Sequence, residues 1–194
     1  MRTEDFWSGR FGDEYLARNR VEWEARVPFW QSAIDFMEPG SMLEVGCNAG
    51  WNLRAIQSIQ ADIDLYGVDI NASAAEEARQ AGFEVRVLGA QGIVGLHEPG
   101  SIDCVFTAGV LIHVAPEDIE ATMRQIIAVS GRYVLAIEYM ADQEEALDYR
   151  GHTGKLWKRP FGAMYQQMGL VLLSEGVAGG FDQCGYALLE RAQT

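Results

Sequence analysis

Leu43-Glu44-Val45-Gly46-Cys47-Asn48-Ala49-Gly50 is a short apolar strand that runs into a glycine-spaced turn, and Trp51-Asn52 opens a helical run after it. Glycines at a strand-to-helix junction let the backbone approach a ligand, and the helix start offers free N–H groups to it. A lone G-x-x-x-G is weak evidence, because glycine punctuates many turns. It gains weight from Asp69, which closes the next strand-like run, Leu65-Tyr66-Gly67-Val68-Asp69. An acid at that place accepts hydrogen bonds from two ribose hydroxyls. A ribose-bearing cofactor follows from the pair.

A nicotinamide site would show G-x-G-x-x-G, whose third glycine allows close helix packing; here Leu53 stands at that place. Glu44, just before the turn, is a poor neighbour for a pyrophosphate. It suits a cofactor that bears an ammonium and a sulfonium.

Working outward, strand-like and helix-like runs alternate. Strands are expected at 42–45, 65–68, 84–88, 102–107 and 133–137, and helices at 51–60, 72–81 and 116–130. Asn71 is placed to cap the helix after it. Pro116 suits a first helical turn, with Glu117 and Asp118 where the helix dipole favours acids. Such alternation implies a parallel sheet with helices on both faces. The tail differs: 170–175 and 186–189 read as a closing antiparallel pair with no helix between them. Upstream, 13–37 is helical in pattern, interrupted near Pro28, and ends at Pro39-Gly40. The expected fold is α/β: a Rossmann-like, seven-stranded, mostly parallel sheet with an N-terminal helical cap. One domain over 1–194 is divided into a lid (1–40), a cofactor-binding core (41–138), a substrate-covering segment (139–168) and closing strands (169–194).

The whole chain narrows the partners. Its 194 residues suffice for one sizeable core. With 15 Lys+Arg against 28 Asp+Glu, the formal charge is −13, which repels phosphate backbones and anionic membranes. Neither nucleic acid nor a membrane is an expected partner. The start has no apolar stretch of signal-peptide length, and no run approaches the roughly 20 residues that span a bilayer. Cys47, Cys104 and Cys184 are odd in number and lack CxxC spacing, so free thiols in a reducing cytoplasm are expected. The expectation is a cytoplasmic monomer or homodimer that acts on a small molecule.

Glu44-x-Gly46-Cys47-x-x-Gly50 resembles motif I of class I methyltransferases, with Asn48 where glycine is usual. Asn tolerates positive φ well among non-glycine residues, so the turn can survive. The resemblance implies S-adenosyl-L-methionine as cofactor, held by Glu44, Gly46, Asn48, Gly50, Trp51, Asp69 and Ile70. Ala90 and Gln91, after the third strand, would face the adenine, and Val110 would follow the fourth strand. The stretches 11–19, 109–114, 138–152 and 156–159 look like the methyltransferases associated with pseudaminic acid biosynthesis, which implies a sugar acid or similar anion as acceptor.

Three groups of residues carry the remaining expectations. Tyr15, Arg18, Asn19 and Glu22 fall on one face of a helix, which is either a solvated face or a lid whose Tyr15 and Arg18 meet the cofactor. His113 follows the carboxyl end of the fourth strand, the edge where ligands bind. Its near-neutral titration suits a general base, with Glu138 as the second candidate, though such a histidine can also merely bond a loop. No metal-ligand spacing is present, and none is expected. Finally, Arg150-Gly-His-Thr-Gly-Lys155-Leu-Trp-Lys158-Arg159 holds four of the fifteen basic residues and no acid. With Tyr139, Tyr149 and His152 it is expected to cradle a carboxylate, phosphate or phosphonate, unless it simply pairs with the acids upstream.

Overall fold

A computed structural model describes residues 3–192, so the outermost two residues at each end of the 1–194 span lie outside the described residues. The main sheet is built from β1 (Ser41–Val45), β2 (Asp64–Asp69), β3 (Glu84–Val87), β4 (Ile102–Ala108), β5 (Ser130–Glu138), β8 (Leu170–Val177) and β9 (Gly185–Arg191). Their spatial order is β3-β2-β1-β4-β5-β9-β8. The first five are parallel, while β9 pairs antiparallel with both β5 and β8. That is the mostly parallel seven-stranded sheet with the closing antiparallel pair that the alternating pattern predicts.

Side-chain alternation along each strand explains why both faces are covered. Met42, Cys104, Phe106, Leu135 and Ile137 point to one face, where α3 (Val27–Met37), α4 (Trp51–Ile59) and α5 (Ala72–Gln80) supply Trp30, Ile34, Leu53, Ile56 and Ala75. Leu43, Val45, Val105, Val134 and Ala136 point to the other, against α6 (Ile119–Val129) and α7 (Phe161–Gln167). The Asn71 side chain caps α5 by accepting from the Ala74 N–H at 2.8 Å.

Three local expectations differ from the structure. The N-terminal helical region breaks after α2 (Arg10–Arg18), where Asn19 leaves helical geometry at φ −106, ψ 67. Pro28 instead sits in the first turn of α3, where its missing N–H is not needed. Tyr15 and Arg18 therefore share α2, while Glu22 precedes a separate 3-10 turn, and the four-residue face does not exist. Pro116 lies in a turn ahead of α6, which starts at Ile119. The segment after β5 forms a hairpin of β6 (Glu145–Tyr149) and β7 (His152–Lys158) that periodicity did not indicate. Its two-residue turn, Arg150-Gly151, has φ 50 and φ 80, the paired left-handed geometry of a tight hairpin.

α1 (Thr3–Ser8) and α2 lie over the carboxyl ends of β1 and β2. Strand order reverses between β1 and β4, the place where sheets of this kind open a crevice. Among the described residues no helix is long and apolar enough to cross a membrane.

Candidate functional site

The glycine turn is built by three left-handed residues: Gly46 at φ 76, Asn48 at φ 49 and Gly50 at φ 77. A Cβ at Gly46 would stand 2.3 Å from a methyl of Val110, so glycine is also required there by space. Asn48 holds its own geometry by accepting from the Ala49 N–H at 2.7 Å. Asp69 braces the turn from the end of β2: its carboxylate accepts from the main-chain N–H of Asn48 at 2.7 Å and of Asn71 at 2.8 Å. Burial pushes the Asp69 carboxyl up, against the pull of those two bonds.

The turn floors a cavity of about 220 Å³. Glu44, Gly46, Asn48, Trp51, Asp69, Ile70, Ala90, Gln91, Val110, Tyr15 and His113 all line it. Two of the residues expected to hold the cofactor do not. The Arg18 guanidinium lies over the Phe11 and Tyr15 rings at 4.9 and 5.7 Å. Gly50 caps α4, and its α-carbon faces Phe83.

Behind the turn sits a polar network that sequence reasoning missed. Glu44 is 2% exposed, and burial raises its carboxyl to about 8. One of its oxygens accepts from Asn52 Nδ2 at 2.6 Å, while the other is buried without a partner. Asn52 Oδ1 in turn accepts from Arg26 at 2.8 Å, and the Arg26 guanidinium lies 4.3 Å from the Phe181 ring centroid. Arg26 lines the cavity and keeps a buried Nε without a partner. No motif surrounds Arg26 in the sequence; a break in the helical lead-in brings it inward. Orphaned buried polar groups are costly, roughly 1–3 kcal/mol each. A carboxylate oxygen and a guanidinium in one wall match a ligand that carries both an ammonium and a carboxylate. The neighbouring Asp69 keeps lone pairs for a ribose.

His113 closes the opposite wall at the end of the 3-10 turn Leu111–His113. Its Nδ1 lies 2.6 Å from the Lys155 carbonyl, which can only accept, so the proton sits on Nδ1 and Nε2 is left as an acceptor. Burial depresses the imidazole to about 4, with that bond opposing the shift. The near-neutral titration expected from the sequence is corrected accordingly: the ring is neutral across the physiological range.

Glu138 belongs to the scaffold. It is fully buried and accepts from the main-chain N–H groups of Val110, Leu111 and Ile112 at 3.1–3.3 Å. Burial raises it to about 7. Both its oxygens are occupied in shaping the turn that carries His113, and it does not line the cavity.

The expected anion cradle is not part of the cavity wall either. Arg159 is 0% exposed; it donates to Glu144 at 2.7 Å and to the Leu111 carbonyl at 3.0 Å. It anchors the hairpin base, because a buried guanidinium must find acceptors. Arg150 occupies the exposed hairpin turn, and Lys158 of β7 pairs in register with Glu145 of β6. Tyr139 bonds Asp182 at 3.3 Å. Tyr149 and His152 come closest to the cavity. Tyr149 lies 4.9 Å from the His113 ring, and His152 packs on Phe6 of α1 and Phe11 of α2 at 5.0 and 5.6 Å.

Residues 42–131 match the family profile of a methyltransferase domain. The sequence has no match among the curated proteins. The fold is similar to that of magnesium protoporphyrin IX methyltransferase from Synechocystis PCC 6803, solved with S-adenosylmethionine (TM-score 0.68, 16% identity, covering 99% of this chain and 98% of that one). It is similar also to a 1,6-didemethyltoxoflavin N1-methyltransferase from Burkholderia thailandensis (TM-score 0.73, 12% identity, 98% and 87% covered). A third similar structure is an S-adenosylmethionine-dependent methyltransferase from Aquifex aeolicus (TM-score 0.66, 14% identity, 93% and 99% covered). The matched span holds the glycine turn, Asp69 and His113, and the similar structures share the fold of nearly the whole chain.

Proposed function

We propose that the protein transfers the methyl group of S-adenosylmethionine to an oxygen or nitrogen of a small, uncharged acceptor. The observation that carries this reading is one cavity that joins three features: the braced glycine turn with Asp69, the Glu44–Asn52–Arg26 network, and the free Nε2 of His113. Glu44 and Arg26 would hold the ammonium and carboxylate of the amino-acid end. Asp69 would take the ribose, and Leu88, Ala90 and Gln91 would flank the adenine.

When bound, the cofactor supplies an electrophilic methyl carbon. The chain's own residues align the acceptor with it, and such positioning can be worth about 7–11 kcal/mol. Neutral His113 accepts the acceptor's proton at Nε2.

Charge supports this acceptor class. Besides Glu44, Asp69 and Arg26, which the cofactor would engage, the ionisable carboxyl and amino-type side chains of the cavity wall are Glu4 and Asp118, both acids. A sugar acid, phosphate or phosphonate, which resemblance to the pseudaminic acid-associated enzymes implies, would meet this acidic wall with its cations outside. An uncharged acceptor fits better. The chain's −13 charge likewise favours a small molecule over nucleic acid.

The test is calorimetric titration with S-adenosylmethionine and with NADH, the cofactor of the rival nicotinamide reading. Binding of the first and not the second is expected. Failure of S-adenosylmethionine to bind the folded protein would overturn the reading.

A further inference from the structure

The acceptor end of the cavity is walled by the lid, and its most informative residue is Trp7 of α1. Phe6, fully buried, and Phe11 stack at 4.0 Å and dock on His152 of the hairpin. Trp7 turns the other way: it is only half-buried, lines the cavity, and sets its ring 4.5 Å from the His113 ring at 51°. Tyr15 meets it edge-on at 5.3 Å, and Tyr149 lies 6.0 Å away. The indole N–H is buried with no protein partner, which is unusual for a tryptophan. The side chains of Val110, Val114 and Ala115 near His113 are apolar.

Resting on the methyl-transfer reading above, we propose that the acceptor is a flat, uncharged aromatic ring bearing a hydroxyl or ring N–H. It packs against Trp7 with that proton directed at His113 Nε2, which makes Trp7 a specificity-determining residue. Ring-on-ring packing is favoured by offset or edge geometry at the separations this wall offers. The proton inventory agrees. A carboxylate or phosphate oxygen needs no base and would want cations. A hydroxyl or ring N–H becomes strongly acidic only as it is methylated, when even a weakly basic imidazole can take its proton. In the step, the acceptor's lone pair bonds the methyl carbon, and the C–S bond breaks with its electron pair left on sulfur. The acceptor's proton passes to Nε2. One positive charge thus leaves sulfur and one arrives on His113, so the cavity's total is unchanged; the ring later returns its proton to water.

The test uses protein saturated with S-adenosylhomocysteine and four probes followed by calorimetry. These are 2-naphthol and 8-hydroxyquinoline, uncharged at neutral pH, against 2-naphthoate, which keeps the ring but carries a carboxylate, and glucuronate. Binding of the first two at least tenfold tighter than the last two is expected. Trp7→Leu, which keeps an apolar lid contact, should weaken the aromatic probes by tenfold or more while S-adenosylhomocysteine affinity changes less than threefold. Trp7→Phe should restore most of the probe binding. Preference for glucuronate or 2-naphthoate, or aromatic probes that bind Trp7→Leu undiminished, would overturn the inference while leaving methyl transfer standing. If Trp7→Leu does not fold, the four wild-type titrations decide alone. Failure of S-adenosylhomocysteine itself to bind would sink both readings, and would show as such before any probe is added.

Discussion

The Nδ1–H of His113 donates to the main-chain carbonyl of Lys155 at 2.6 Å, across 42 residues of sequence. That bond selects the tautomer and leaves Nε2 as the acceptor on a ring that lines the cavity. With burial holding the imidazole down at about 4, turnover at saturating substrates should show no limb from this group between about pH 5 and 8. His113→Asn keeps a donor for Lys155 and removes the base, so kcat should fall by about 10²–10⁴-fold, with cofactor affinity nearly unchanged. Full turnover in that variant would return His113 to a purely structural role.

Asp69 both braces the glycine turn and offers lone pairs to the ribose. Hydrogen bonds to charged groups contribute roughly 1.5–3 kcal/mol each. Asp69→Ala should therefore weaken S-adenosylmethionine binding by tenfold or more in calorimetry, while circular dichroism shows the fold retained. Unchanged affinity would place the cofactor elsewhere.

Glu44 makes cofactor binding a proton-linked event. Burial raises it to about 8 in the free protein, so at pH 7 it carries a proton that a neighbouring ammonium would expel. Titrations in buffers of different ionisation enthalpy should show a released proton, approaching one per site, that disappears in Glu44→Gln. The same shift has a stability sign. Between about 4.5 and 8 the folded free protein holds a proton that the unfolded chain has lost, so Glu44 makes stability fall as pH rises through that window. Melting curves of wild type and Glu44→Gln from pH 5 to 8 check it; equal slopes would refute the assignment.

Arg159 acts on the fold. Arg159→Ala removes a buried side chain, leaves the Leu111 carbonyl with the Val114 N–H alone and releases Glu144. Hydrogen bonds from a charged group contribute roughly 1.5–3 kcal/mol each, so thermal unfolding should shift down by several degrees. An Arg150→Ala substitution in the exposed hairpin turn should leave cofactor affinity within a factor of two, and its melting temperature should not drop. A large loss of acceptor affinity in Arg150→Ala would revive the anion cradle.

The mostly parallel sheet and the place of its crevice were legible because both are written in local patterns. Apolar runs of strand length alternate with helical ones, and Gly46, Asn48 and Gly50 stand where a strand must turn into a helix. Asp69 was legible for a related reason: its position at the end of the second strand follows from counting along the chain. Arg159 was misread because a run of cations has the same sequence signature whether it faces solvent or anchors a hairpin, and only packing against Leu111 and Glu144 distinguishes them.

What the chain by itself determined was the alternation of strands and helices from β1 to β5, the glycine turn and the acid at the end of β2, since each follows from local patterning or from counting along the chain. What only the tertiary structure decided was the rest of the cavity. Arg26 and Trp7 enter it from a lid whose break at Asn19 no periodicity marks. Glu138 is withdrawn from it by three backbone amides of the 3-10 turn. The His113 imidazole owes its neutrality to burial and to a carbonyl on a distant hairpin. Desolvation and long-range hydrogen bonds set those properties, and neither has a local sequence signature.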